Sequence, residues 1–218
     1  MNNTKQLALA WIMYAGDNEG GLLAAENGIE GRPNWFSGSL DFSSARANWD
    51  ITADMTNSPL WTYVGQTKEL FKCPADRAMV QVPGGGRQPR VRSNSMSQTF
   101  GHGGWLNNVN SSQQWRTYSK ESSIVNPSMT WVFVDEHPDS INDAAFAVEC
   151  SGAQEQARAR VIDFPANYHN GACGFSFSDG HSEIHVWNGS KIRNAPIKYD
   201  GAMQLNVPAG DSWNDVKW

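Results

Sequence analysis

An Asp-Gly pair, Asp179-Gly180, stands between two short runs of β-type residues, Gly174 to Ser178 and Ser182 to Trp187. Asp-Gly is the composition of a two-residue type I′ hairpin turn, because glycine takes positive φ freely and aspartate better than most residues. Such a turn sets the register of everything around it. Ser178 would face His181, Phe177 would face Ser182, Phe175 would face Ile184 and Cys173 would face Val186. Both central residues are then expected at positive φ. One side of the ribbon collects Cys173, Phe175, Phe177, Ile184 and Val186, and the other collects Ser176, Ser178, His181, Glu183 and His185. This apolar face needs a layer to cover it.

The start of the chain offers that layer. Residues 3–14 read as a helix, with Leu7, Ala10, Trp11 and Tyr14 on one face. The run from Leu7 to Tyr14 is apolar without a break, too apolar for a helix with one fully solvated side. Leu7 and Trp11 are expected against the sheet, with some apolar surface left uncovered. Gly16 to Gly21 supplies the stop. Met129 to Glu136 reads as a strong strand, and Phe71 to Asp76 as a short one ended by Pro74. From Leu22 to Ser58 the chain is rich in Gly, Asn and Ser, with a short helix expected near Asp54 to Val64. Pro83 to Arg92, with three glycines and three arginines, reads as a surface loop. With 218 residues, 18% charged and Gly-rich, the chain suits one loop-rich α+β domain better than a helical bundle.

A net charge of −5 argues against binding nucleic acid through a general electrostatic footprint. No apolar run is long enough to span a membrane. Cys73, Cys150 and Cys173 leave two possibilities open, one bridge with one thiol over or three free thiols. A bridge would join Cys150 to Cys173, since Cys173 begins a strand and Cys150 follows the hydrophobic stretch Ala144 to Val148. Asp135, Glu136, His137, His169, Asp179 and His181 are the residue types of a metal or acid–base site, as in a metal-dependent hydrolase. The plainer reading makes Asp135 and Glu136 the polar end of a strand, and Asp179 a turn residue. Were residues 169–179 all strand, His169 and Asp179 would lie about 33 Å apart at roughly 3.3 Å per residue. They meet only if the chain folds back at Asn170-Gly171, a bend that His169 would fix by a hydrogen bond. Trp35, Trp49, Trp61, Trp105 and Trp115 would suit an extracytoplasmic carbohydrate-binding domain if they formed a flat exposed row, and core packing otherwise.

His169 followed by Asp179-Gly180 resembles the H-X9-DG signature of prepilin-type processing-associated, pseudopilin-like proteins. The segment Asn2-Asn3-Thr4-Lys5-Gln6-Leu7 is similar to that family's N-N-x-K-Q-L, Cys73-Pro74-Ala75-Asp76 to its C-P-x-D, and Asp135-Glu136 to its later D-E strand. The matches run in family order over most of the chain. The resemblance implies a pilin-like α+β head over residues 1–218, with an N-terminal helix packed on a C-terminal antiparallel sheet and residues 1–16 the remnant of the pilin helix. It implies that the apolar half of that helix, with its prepilin cleavage site, is missing ahead of Asn2. It implies a non-catalytic structural subunit of a type II secretion-like pseudopilus, similar to type II secretion protein G. That subunit would be anchored in the inner membrane with its head in the periplasm or outside the cell. Its partners would be other pseudopilins and secretion-apparatus proteins, and no cofactor is required. His169, Asp179, Gly180 and His181 would be structural motif residues. Family members often carry a cysteine just before N-N-x-K-Q, which could pair with Cys73. Major pseudopilins also hold calcium in a C-terminal loop. Asp200, Asp211, Asn214 and Asp215 are oxygen ligands of the kind Ca²⁺ takes, or else an acidic, solvated tail.

Overall fold

The computed structural model describes residues 2–26, 29, 31–106 and 115–217. Helix α1 (Asn2–Asp17) carries no β-branched run, and it ends where Asn18, Glu19 and Gly20 peel away. Glu19 (φ 54°) and Gly20 (φ 73°) are left-handed, and the Gly20 amide donates back to the Ala15 carbonyl at 2.8 Å. The irregular middle contains the ribbon β1 (Met79–Gln81) and β2 (Arg87–Pro89). Next come β3 (Asn94–Ser97), β4 (Trp131–Asp135), β5 (Ala145–Phe146) and β6 (Arg160–Val161). The hairpin β7 (Ala172–Phe177) and β8 (Ser182–Val186) follows, then α2 (Ser190–Arg193), β9 (Val207–Pro208) and α3 (Trp213–Val216). The main sheet has five strands in the order β5-β3-β4-β7-β8. Its pairings are antiparallel except β3 with β5, which is parallel.

The sheet is covered on both faces, and alternation along each strand sorts the residues. On one face Leu7, Trp11 and Tyr14 of α1 join Met96, Phe133, Phe100 and Trp35. Trp11 meets Phe100 edge to face, with ring centres 5.2 Å apart. On the other, Val134, Phe175, Phe177 and Trp187 pack against Phe146, Val161 and Ile192. Every residue of β7 is buried, as a central strand covered on both sides requires. The chain is therefore α+β with a mainly antiparallel sheet. Leu7 and Trp11 are fully buried as expected, while Leu9 (45%) and Met13 (56%) stay exposed. Among the described residues no helix is long and apolar enough to cross a membrane.

Four expectations need correction. The hairpin is one residue off register: Cys173 pairs with His185, Phe175 with Glu183 and Ser176 with Ser182. The Phe177 amide donates to the His181 carbonyl, and the Gly180 amide to the Phe177 carbonyl, both at 2.9 Å. The loop is thus a three-residue turn closed by left-handed Gly180 (φ 88°), and Asp179 is not at positive φ. The Asp179 carboxylate accepts from the His181 amide at 3.0 Å, an Asx turn that competes with the type I′ geometry. His181, Glu183 and His185 therefore share a face with Phe177, Phe175 and Cys173. Ile184 (51%) and Val186 (53%) sit on the α1 face at the open edge. Second, Phe71 to Asp76 is no strand; a 3₁₀ turn over Lys68–Phe71 ends there, and Pro74 donates no amide. Third, Asp54 to Val64 forms a 3₁₀ turn over Met55–Asn57 and further turns rather than an α-helix, since Ser58-Pro59 interrupts it. Fourth, residues 83–89 lie at the surface as expected, but as the glycine turn and second strand of the β1–β2 ribbon, while Arg90 and Arg92 are only 1% exposed.

Replacing Gly180 by Ala tests the corrected turn. The left-handed backbone and a Cβ 3.1 Å from Ile12 Cδ1 act together, so we expect a loss of about 1–2 kcal/mol. Gly180→Asn should cost less. Equal melting temperatures for Gly180→Ala and the parent would reject this turn.

Candidate functional site

Three segments far apart in the chain meet beside the first turn of α1. Asp135, at the end of β4, lies on the α1 face, opposite Asn94 of β3. Cys73 follows the 3₁₀ turn over Lys68–Phe71, and its amide donates to Ser93 Oγ at 2.8 Å. Ser93 Oγ in turn donates to Asp135 Oδ1 at 2.6 Å, so one serine aligns both groups. His169 comes from the loop before β7, where Asn170 (φ 58°) and Gly171 (φ 79°) reverse the chain. That bend was expected. The His169 backbone amide donates to the Ala172 carbonyl at 3.3 Å, while the ring places Nε2 3.3 Å from Cys73 Sγ. One ligand atom from each of Cys73, Asp135 and His169 lies within 4.8 Å of the other two. Cys73 and Asp135 are buried and His169 is exposed. A cavity of about 280 Å³ adjoins them, lined also by Asn2, Asn3, Thr4, Asn94 and Gly174.

Burial dominates the electrostatics of this cluster. It lifts the Asp135 carboxyl to about 7, against the pull of the Ser93 and Cys73 hydrogen bonds. Burial and the Asp135 charge push the Cys73 thiol up to about 12. The Asp135 carboxylate accepts from Ser93 Oγ rather than orienting the imidazole. The arrangement has the donor types of a metal site.

The other motif residues lie elsewhere. His169 and Asp179 stand at opposite ends of β7, a strand of six residues and about 20 Å. Asp179 Oδ1 is 2.6 Å from His181 Nδ1, and the His181 ring stacks on Phe177 at 4.2 Å. Glu136 does not join Asp135 in a cluster. It points to the other side of β4, where Ser140 Oγ donates to Oε1 at 2.9 Å and Ser95 Oγ to Oε2. Burial and the Asp163 charge raise Glu136 well above the usual carboxylate range. Burial takes the neighbouring His137 down to about 4.

The acidic residues near the C-terminus cap turns. Asp211 accepts from the Ser190 and Lys191 amides at the start of α2, and Asp215 from the Asn188 and Gly189 amides. Asp200 accepts from the Ala202 amide, and Asn214 is exposed. Asp200, Asp211 and Asp215 do not converge as a group of three, so the calcium set is not assembled by these side chains. The bridge expected between Cys150 and Cys173 is absent, and all three cysteines are free. Cys173 is packed in the core with Phe175 and Trp187, whereas the Cys150 amide is tied to the Leu106 carbonyl. Of the five tryptophans considered for a sugar platform, only Trp105 is exposed, so no flat row forms. Sequence reasoning missed Asn94 altogether, and it did not bring Cys73 to His169. Compared with known proteins, the chain matches no family model, no curated protein and no solved structure.

Proposed function

We propose that the chain is a non-catalytic, pseudopilin-like subunit of a cell-envelope assembly, its pilin-type head formed by α1 on the main sheet. The observation that carries this reading is the uncovered apolar side of α1. Leu9 and Met13 are exposed on one side of the helix, and Leu9 and Ile12 reach the Gly180 turn. Ile184 and Val186 continue that surface on the same face of the sheet, along the open edge strand β8. A monomer gains nothing from leaving these apolar side chains wet, whereas a bundle of neighbouring helices would cover them. The motif order from Asn2 to Asp179-Gly180 supports the same reading. Its partners would be further pseudopilins and secretion-apparatus proteins, in the inner membrane and periplasm or outside the cell.

Cysteines introduced at Met13 and Ile184 should cross-link between copies in the envelope fraction of cells producing the full-length protein. Leu9→Glu with Val186→Glu, added to these cysteines, should abolish the cross-link and leave thermal unfolding within about 1 kcal/mol, since both side chains are already about half exposed. Protein found solely as a soluble monomer, uncross-linked at either cysteine, would overturn the proposal.

A further inference from the structure

We propose that Cys73, Asp135 and His169 bind one Zn²⁺-type divalent cation, with a water held by Asn94 in the fourth position. The inference stands apart from the assembly reading. Thiolate, imidazole and carboxylate are the donors of borderline-soft transition ions, and a cysteine ligand argues against Ca²⁺ and Mg²⁺. The spacing fits as well. Bonds of about 2.0–2.3 Å at tetrahedral angles put ligand atoms roughly 3.3–3.7 Å apart. Cys73 Sγ and His169 Nε2 are 3.3 Å apart, and all three ligand atoms fall within 4.8 Å.

Asn94 supplies an independent observation. It is 1% exposed, and neither its carboxamide oxygen nor its nitrogen has a hydrogen-bond partner. Leaving two such groups unmet is costly in a buried site and calls for an explanation. Asn94 and Asp135 are cross-strand partners, so their side chains lie on one face, and both line the same cavity. A cation-bound water there would satisfy the amide, and the amide would orient the water, as outer partners do in metal sites. Exposed His169 leaves a path for the ion. The bound ion would tie the 3₁₀ exit at Cys73, the end of β4 and the loop before β7 beside the first turn of α1. Its role is to clamp that helix end onto the sheet.

The test is Zn²⁺ titration of the chelator-stripped chain against a chromophoric competitor, with melting temperature followed in parallel. We expect one ion per chain and a rise in Tm of about 5–10 °C at a hundredfold excess over Kd. Co²⁺ in place of Zn²⁺ should show a thiolate-to-metal charge-transfer band. His169→Ala removes an exposed ring and leaves the buried packing intact, so folding is not at issue. It should weaken binding about a hundredfold, Cys73→Ser should abolish the charge-transfer band, and Asn94→Ala should weaken binding about ten- to hundredfold. Cys150→Ser and His181→Ala should bind as the parent does. Substoichiometric binding, a Co²⁺ complex without the thiolate band, or equal affinity in His169→Ala and the parent would each overturn the proposal.

Discussion

Replacing Arg92 by Met is expected to be among the most destabilising single changes in this protein, costing about 4 kcal/mol and about 8–16 °C in Tm. The guanidinium is almost wholly buried. Its Nη1 donates to the Asn94 carbonyl at 2.9 Å and its Nη2 to the Asp143 carbonyl at 2.6 Å. It lies over the rings of Trp35 and Phe36, with centres 5.6 and 5.2 Å away. Burial pulls Arg92 down to about 10, with the charge of buried Glu136 opposing that shift. Methionine fills similar volume, so the loss would come from polarity, not from a cavity. Two carbonyls lose a charged donor, and Glu136 loses a compensating cation. Pairing Arg92→Met with Glu136→Gln separates the two contributions. Recovery of about 1–2 kcal/mol in the double variant shows that Glu136 needs the cation. No recovery in chemical denaturation would mean that Arg92 acts through the carbonyls alone.

Arg92 also shows where sequence reading stops. Three arginines beside three glycines looked like a solvated loop, because local composition cannot show that Phe42, Trp35 and Phe36 come to lie beneath two of them. What was legible had a short-range cause. The unbroken apolar run from Leu7 to Tyr14 announced α1, and β-branched and aromatic residues announced β4, β7 and β8. The hairpin was legible to within one residue. Asp-Gly serves both a type I′ turn and the third and closing positions of a type I turn with a bulge, and the competing Asx bond of Asp179 is invisible in a pattern. That single slip split the expected apolar set: Ile184 and Val186 lie on the α1 face at the open edge, while Cys173, Phe175 and Phe177 pack on the opposite face. The candidate metal site was legible only in pieces. Cys73, Asp135 and His169 each sit in a separate motif, and nothing local says that a chain reversal at Asn170-Gly171 brings His169 back over Cys73, 96 positions away.

Replacing Asp139 by Asn should cost about 3 kcal/mol near neutral pH, or about 6–12 °C in Tm, although the two side chains have the same shape. Residues 196–203 form no helix or strand, and one carboxylate organises them. Asp139 Oδ2 accepts from the amides of Lys198 and Tyr199 at 2.8 and 3.1 Å, and Oδ1 from those of Asp200 and Gly201 at 2.7 and 2.9 Å. Left-handed φ at Tyr199 (60°) and Gly201 (69°) turns successive N–H groups inward, a nest built for an anion. Asparagine keeps one acceptor oxygen and aims an NH₂ group at two donors. These four amide bonds hold the Asp139 carboxyl below its ordinary value, burial opposing them. Its contribution is therefore fully present above the unfolded value of about 3.9 and is lost as pH falls through the lower folded value. The gap between parent and Asp139→Asn should be widest near neutral pH and close in acid. Amide exchange at 198–201 should quicken in the variant before global unfolding, because the nest opens locally. A gap that stayed constant into acid would show that shape rather than charge holds this segment.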